Sequence, residues 1–182
     1  VKDLVIRPAI NADLELCLAL DHTCSTEYVW QMAVEERDGA LGITFRTARL
    51  PRSMKVLYPR SGESLQHSWV RHDCFLVAQI GDESPQIVGY LNMWVHAAQE
   101  AGWIADLAVD SPYRMKGIGT RLLHAARTWA HERALRRLIV ETQTKNYPAI
   151  RFLRRRGLTF CGYSDLYYPN QDIAVFFGQS LR

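Results

Sequence analysis

Two glycines, Gly117 and Gly119, stand two residues apart in the stretch "SPYRMKGIGT" (111–120), between an apolar run and an amphipathic pattern. Residues without a side chain let backbone N–H groups come close to a ligand. A helix start leaves four such donors unpaired, and its dipole favours an anion there. The amides from Met115 through Ile118 to Thr120 are therefore placed to converge on a diphosphate. Arg114 and Lys116 add positive charge, and Thr120 adds a hydroxyl. The pattern is not the dinucleotide fingerprint, because Arg114 stands where the first glycine belongs. Nor is it a phosphate loop ending in Gly-Lys-Ser or Gly-Lys-Thr. The plain alternative is a tight turn with a capped helix.

The elements that must carry this loop follow from periodicity. "LVIRPAI" (4–10) alternates as a strand, and 11–22 reads as a helix capped by Asn11, with Leu14, Cys17 and Leu18 on one face. A second helix is expected over 27–37. Residues 41–58 read as extended pieces broken near Pro51, 59–68 as a loop and 81–85 as a turn. Strands are expected at 74–80, 86–96 and 102–109. The helix at 117–132 should bury Ile118, Leu122, Ala125, Ala126 and Trp129. A strand at 135–142 precedes a short helix at 147–156, with Pro148 in its first turn and Gly157 near its end. A last strand pair closes the chain. The fold class is α/β (α+β): a mixed, mostly antiparallel sheet with helices on both faces.

Composition bounds the function. A chain of 182 residues, 48% hydrophobic, fits one domain spanning 1–182 with a sizeable core. It has no run of 18 apolar residues, so no membrane partner is expected. No secretory leader pattern opens it, although it begins at Val1 and a preceding segment stays open. Cys17, Cys24, Cys74 and Cys161 lack metal-ligand spacing, so no metal is expected. Buried thiols in a reducing compartment, the cytoplasm, are the better reading. The net charge of +3 mildly favours an anionic ligand. Arg151 and Arg154–Arg156 read first as a solvated helix face. Without the aromatic pattern of a nucleic-acid module, no nucleic-acid partner is expected.

"DLAVDSPYRMKGIGTRLL" (106–123) and "ETQTKNYPAIRFLRRRGL" (141–158) together resemble the GNAT superfamily of acetyl-CoA-dependent N-acetyltransferases. "LYYPNQDIAVFF" (166–177) is similar to the tail of the streptothricin acetyltransferases and of the ribosomal-protein N-terminal alanine acetyltransferases. The clear resemblance spans about 74–178. It implies a cleft between splayed strands that holds acetyl-CoA as co-substrate. Leu107 and Val109 would offer backbone groups to the pantetheine arm, with a donor near Leu107 or Ala108 for a developing oxyanion. Arg114 through Thr120 would receive the diphosphate. Asn146, followed by Ala149 in the family's order, would approach the pantetheine or simply cap its helix.

For catalysis the resemblance implies that Glu141 acts through water as general base toward an attacking primary amine. Asp106 is the alternative: the two-residue period places Ile104, Asp106 and Ala108 on one strand face, where an aspartate can orient an amine. Leu153 departs from the family, many of whose members carry a tyrosine there to protonate the leaving thiolate. Tyr147, Tyr163, Tyr167 and Tyr168 are the available substitutes, with Tyr168 taken as the catalytic candidate. Early helices and late loops complete the acceptor pocket in this family, which points to 22–32, parts of 41–70 and 163–171, with Tyr28, Trp30, Trp69 and Tyr167 as its candidates. The atypical 41–70 region departs from the short ribosomal-protein enzymes. Three readings stand: an acetyltransferase, in a ternary complex with a small-molecule amine or a peptide N-terminus; a coenzyme A-binding regulatory module with little turnover; and a plain scaffold. The scaffold reading is itself dimeric, and a homodimer through the terminal strand pair or the 41–70 region is expected.

Overall fold

The computed structural model describes residues 3–60, 62–81 and 85–182. The elements run β1 (Val5–Pro8), α1 (Asp13–Leu18), β2 (Cys24–Arg37), β3 (Ala40–Val56), α2 (Gly62–Arg71), β4 (Cys74–Ile80), β5 (Gln86–His96), β6 (Ala101–Val109), α3 (Ile118–Glu132), β7 (Arg137–Gln143), α4 (Tyr147–Arg155), β8 (Thr159–Ser164) and β9 (Ala174–Ser180). Among the described residues, seven strands form one sheet in the order β1-β4-β5-β6-β7-β9-β8, and β2 pairs with β3 apart from it. In the larger sheet only β6 and β7 run parallel.

Three expectations change. Residues 27–37 are strand, not helix: Tyr28–Arg37 pair residue for residue with Ala40–Arg49 of β3, and the hairpin closes through Asp38–Gly39. Both turn residues have positive φ, 51° and 78°, as a two-residue hairpin turn demands. Residues 40–56 form one long strand. Its ladder breaks between Thr26 and Tyr28, opposite Leu50–Ser53, so Pro51 sits in a bulge where no ladder donor is needed. The stretch read as a loop is mostly α2. The turn expected at 81–85 falls partly on 82–84, outside the described residues.

Helix α3 buries Ile118, Leu122, Leu123, Ala126 and Ala130 against Leu76, Ala78, Leu91, Met93, Ile104 and Leu138. The expected Ala125 and Trp129 are only half-buried, and Trp129 instead carries the Arg133 guanidinium 3.8 Å from its ring. On the other sheet face α1 and α2 cover Phe75, Val77, Ile87, Tyr90 and Ala108 with Cys17 and Leu65. Burial pushes the thiols of Cys17 and Cys74 up to about 12, so both stay protonated packing groups. Among the described residues no helix is long and apolar enough to cross a membrane.

Asn11 does not cap α1 with its side chain; the buried Asp13 carboxylate organises that turn instead. It accepts from the Ile10 N–H (2.8 Å) and twice from Arg7 (2.7 and 2.9 Å), tying the helix to β1. Burial works against its charge, but Arg7 and the Ile10 N–H outweigh it and hold its pKa below the ordinary carboxylate value. A depressed native pKa contributes stability above the unfolded pKa that is lost as the pH falls through the native one. Asp13→Asn is expected to lower the unfolding free energy at pH 7 by about 2 kcal/mol, and the gap should narrow as the pH falls and the carboxylate takes its proton. Urea titrations of both proteins across an acid pH series check this; a gap independent of pH would contradict it.

Candidate active site

The parallel ladder of β6 and β7 lasts from Ala101↔Arg137 to Ile104↔Val140 and then stops. Beyond it the strands diverge, and Ala105, Leu107–Val109 and Val140–Gln143 line a cavity of about 810 Å³. A strand leaving its neighbour exposes carbonyls that need donors. Arg60 Nη1 donates to the Ala105 carbonyl (2.8 Å), and Arg114 Nε donates to the Val109 carbonyl (2.8 Å). Leu107 lies two residues from each and shares that edge by the strand period.

A β-bulge sets which side chains face the acceptor side. Asn92 pairs with Asp106 and Met93 with Ile104, so Ala105 is the extra residue. The bulge inverts the alternation: Ile104 packs into the α3 face, while Ala108 lies with the α1–α2 face. The expectation that Ile104 shares a face with Asp106 and Ala108 therefore fails. Asp106 emerges instead on the side of Tyr58, Arg60 and Asn92.

At the wide end lies the start of α3. Met115 (φ 61°) and Gly117 (φ 83°) both adopt the left-handed conformation, and a Cβ on Gly117 would meet nothing within 4 Å. The first helical bond closes from the Arg121 N–H to the Gly117 carbonyl, so the amides of Ile118, Gly119 and Thr120 precede the intrahelical ladder at the cavity wall. These donors suit a diphosphate. Two side chains expected to help do other work. The Arg114 guanidinium is spent on the carbonyls of Val109, Thr23 and Asp21, as a strut between two loops. The Lys116 ammonium lies 5.1 Å from the centre of the Tyr113 ring, outside the lining. A Cβ on Gly119 would make only ordinary contact with the Phe152 ring, at 3.5 Å. Asn146 caps α4 by accepting the Ala149 N–H (3.1 Å), and both residues line the cavity. Arg151, Arg155 and Arg156 line the same space, so only Arg154 of that group stands apart from it.

The narrow end is a polar cluster. Arg60 bridges Asp106 Oδ1 (3.2 Å) and Glu141 Oε1, and its guanidinium lies 5.6 Å from the Tyr168 ring centre. Glu141 Oε2 accepts from Trp103 Nε1 (2.6 Å) and the Tyr167 hydroxyl (2.9 Å). Asp106 also accepts from the Tyr58 hydroxyl and from Asn92 Nδ2 (2.9 Å). Asp106 and Glu141 are 1% and 5% exposed, so these contacts replace water almost completely. Burial disfavours the charged guanidinium, but Asp106 and Glu141 outweigh it and raise the Arg60 pKa. Burial, reinforced by the neighbouring carboxylates, raises the pKa values of Tyr58, Tyr167 and Tyr168 above that of free tyrosine. Burial lowers that of His22, whose Nε2 lies 3.0 Å from the Tyr90 hydroxyl at the cavity edge.

Of the expected acceptor residues, Tyr28 lines the cavity with its ring 5.5 Å from Tyr147, and Tyr167 reaches it through Glu141. Trp30 and Trp69 do not. Trp30 packs among Phe45, Phe160 and Phe177 under the hairpin, and Trp69 against Phe75 and His72. Tyr163 likewise packs on Phe45. Arg60, Tyr58 and His22 line the cavity too; no local pattern marks them individually, although they lie in the 22–32 and 41–70 stretches expected to complete the acceptor pocket.

A sheet that splays at its parallel pair, with helix-start amides at one end of the cleft and carboxylates at the other, is the architecture of a coenzyme-dependent group transferase. The chain belongs to the acetyltransferase (GNAT) family, whose model matches residues 44–158. It is 40% identical over 165 residues to the streptothricin acetyltransferase of Streptomyces lavendulae, covering 89% of this chain and 85% of that one. Its fold matches the crystal structure of nourseothricin acetyltransferase over 100% of both chains (TM-score 0.84, 23% identity). It also matches a putative streptothricin acetyltransferase from Bacillus anthracis, solved with acetyl coenzyme A, over 98% of this chain and 97% of that one (TM-score 0.73, 22% identity). The protein is an acetyl-CoA-dependent N-acetyltransferase, and the reading of a coenzyme-binding module without turnover is not favoured.

Gly117 tests the cradle. A valine there must adopt a left-handed backbone at about 1–2 kcal/mol. Because its side chain projects beside the amides, Gly117→Val should also weaken acetyl-CoA binding at least about tenfold, roughly 1.4 kcal/mol. Calorimetric titration of the folded variant checks it, and an unchanged Kd would remove the 115–120 amides from coenzyme binding.

Proposed function

We propose that the acceptor is a primary amine of a streptothricin-class antibiotic and that Glu141 takes its proton. The observation that carries this reading is one continuous cavity lined both by the 117–120 amides and by Glu141. The similarity to the Streptomyces lavendulae enzyme over most of both chains supports the acceptor class. Free cysteines at all four positions fit a cytoplasmic setting. The hairpin face with exposed Val34, Leu41 and Ile43 is where a homodimer would form.

Acetyl-CoA supplies the acetyl group as a thioester. The chain's part is to hold the amine in line with it and remove a proton. Glu141 is the base, directly or through water, and Asp106 orients the amine. The backbone at Leu107 and Ala108, beside the splay, is assigned to the carbonyl oxygen and the pantetheine arm. Leu153 lines the cavity and exchanges no proton. Tyr168 lines it too, but its raised pKa makes it a reluctant acid. We therefore assign its hydroxyl to hydrogen bonding and leave the thiolate to be protonated from solvent.

Purified protein with acetyl-CoA should acetylate streptothricin in preference to a peptide beginning with alanine, read by mass spectrometry of both acceptors. Transfer to the peptide alone would reject the acceptor class. Glu141→Gln should lower kcat by about 10²–10⁴-fold with little change in acetyl-CoA affinity. A variant that turns over like the parent would release Glu141 from the role of base.

A further inference from the structure

Arg60 is an unusual neighbour for a cluster that must receive a cation. It follows β3 at the edge of α2, and its side chain is only 15% exposed. Its two terminal nitrogens divide between Asp106 and Glu141, and it also caps the Ala105 carbonyl. The other titratable groups facing it are Tyr58 on its own connection, Tyr90 on β5, Tyr167 and Tyr168 before β9, and His22 before β2. The tyrosines keep their protons and His22 is held neutral, so the charge balance is set by one guanidinium and two carboxylates.

An amine acceptor arrives mostly as ammonium, and only the neutral amine attacks. Two bare carboxylates would bind the ammonium well and keep it protonated. One carboxylate's worth of net charge still attracts it but holds its proton less firmly. We propose that Arg60 is a positioning residue for proton transfer, its guanidinium holding the Asp106–Glu141 cluster at one net negative charge so that a bound ammonium releases its proton to solvent by way of Glu141. The proton leaves nitrogen for the Glu141 carboxylate and passes on to water, leaving a neutral amine and an ionised carboxylate. This rests on the reading of Glu141 as base.

The test compares Arg60→Gln, which removes the charge, with Arg60→Lys, which keeps it. In Arg60→Gln the acidic limb of the kcat profile should move up by about one pH unit or more. At pH 7 the KM for a cationic amine should fall at least about threefold while kcat falls at least about tenfold. In Arg60→Lys the limb should stay within about 0.3 unit of the parent, since the charge remains. A merely structural arginine would lower kcat equally at every pH and leave the limb in place. An unmoved limb in Arg60→Gln, or a limb in Arg60→Lys displaced by a full unit, overturns the proposal, and Arg60→Met, for which the same upward shift is expected, replaces the glutamine variant if that one does not fold. A readout that needs no turnover separates this from the acceptor reading. Carboxyl ¹³C NMR, with Glu141 assigned by its loss in Glu141→Gln, should show its titration midpoint at higher pH in Arg60→Gln than in the parent. Failure of the parent to acetylate any amine would sink the acceptor reading; an unmoved midpoint would sink this one.

Discussion

β6 and β7 hold each other through four residue pairs and then separate. Every feature of the site answers that separation. A parted strand has carbonyls on its open edge, and a carbonyl left without a donor in a half-buried place costs about 1–3 kcal/mol. Two arginines from distant parts of the chain supply the donors, Arg60 at Ala105 and Arg114 at Val109. Each makes the splay tolerable at one point and leaves the edge at Leu107, between them, facing the cavity. The cleft is thus a stretch of sheet in which guanidinium groups stand in for a missing strand, with one interval kept for a ligand.

The arginines differ in what else they touch. Arg114 gives its remaining hydrogen bonds to the carbonyls of Asp21 and Thr23, so its charge serves the loops. Arg60 gives its own to two carboxylates, so its charge enters the chemistry. A buried ion pair that loses one partner is costly, about 3–5 kcal/mol, because the other charge stays behind. The bulge at Ala105 is what makes this arrangement available. Had Ile104, Ala105 and Asp106 alternated regularly, Asp106 would point with Ile104 into the apolar face under α3.

The sequence showed the coenzyme half of the site better than the acceptor half, for a physical reason. A helix start that presents amides needs a glycine in the left-handed region and an apolar helical stripe behind it, and both are local patterns. β5, β6, α3 and α4 were accordingly legible to within a few residues. The hairpin left a local mark in the turn pair Asp38–Gly39, but Val29 and Ala33 interrupt any alternation of apolar and polar residues in β2, so its strand carried no clear period. The bulge at Ala105 leaves no such mark. It is a property of the pairing with β5, and period-two reasoning therefore put Asp106 on the wrong face.

The 41–70 region, the part least like the short peptide-modifying relatives, carries the argument about the acceptor. It supplies Tyr58 and Arg60, which touch both candidate catalytic carboxylates, and through β3 it supports β2, from which Tyr28 reaches the cavity wall. The elements that cradle the coenzyme end, α3 and α4, contribute nothing to this cluster. The amides suited to the coenzyme and the cluster proposed for the amine therefore sit on different pieces of chain. Changes in 41–70 can retune the charge and shape offered to the amine without disturbing the amides at 117–120. That separation is a physical sense in which one scaffold admits different acceptors, and on the proposed reading the connection holding Arg60 is where a preference for one amine would be set.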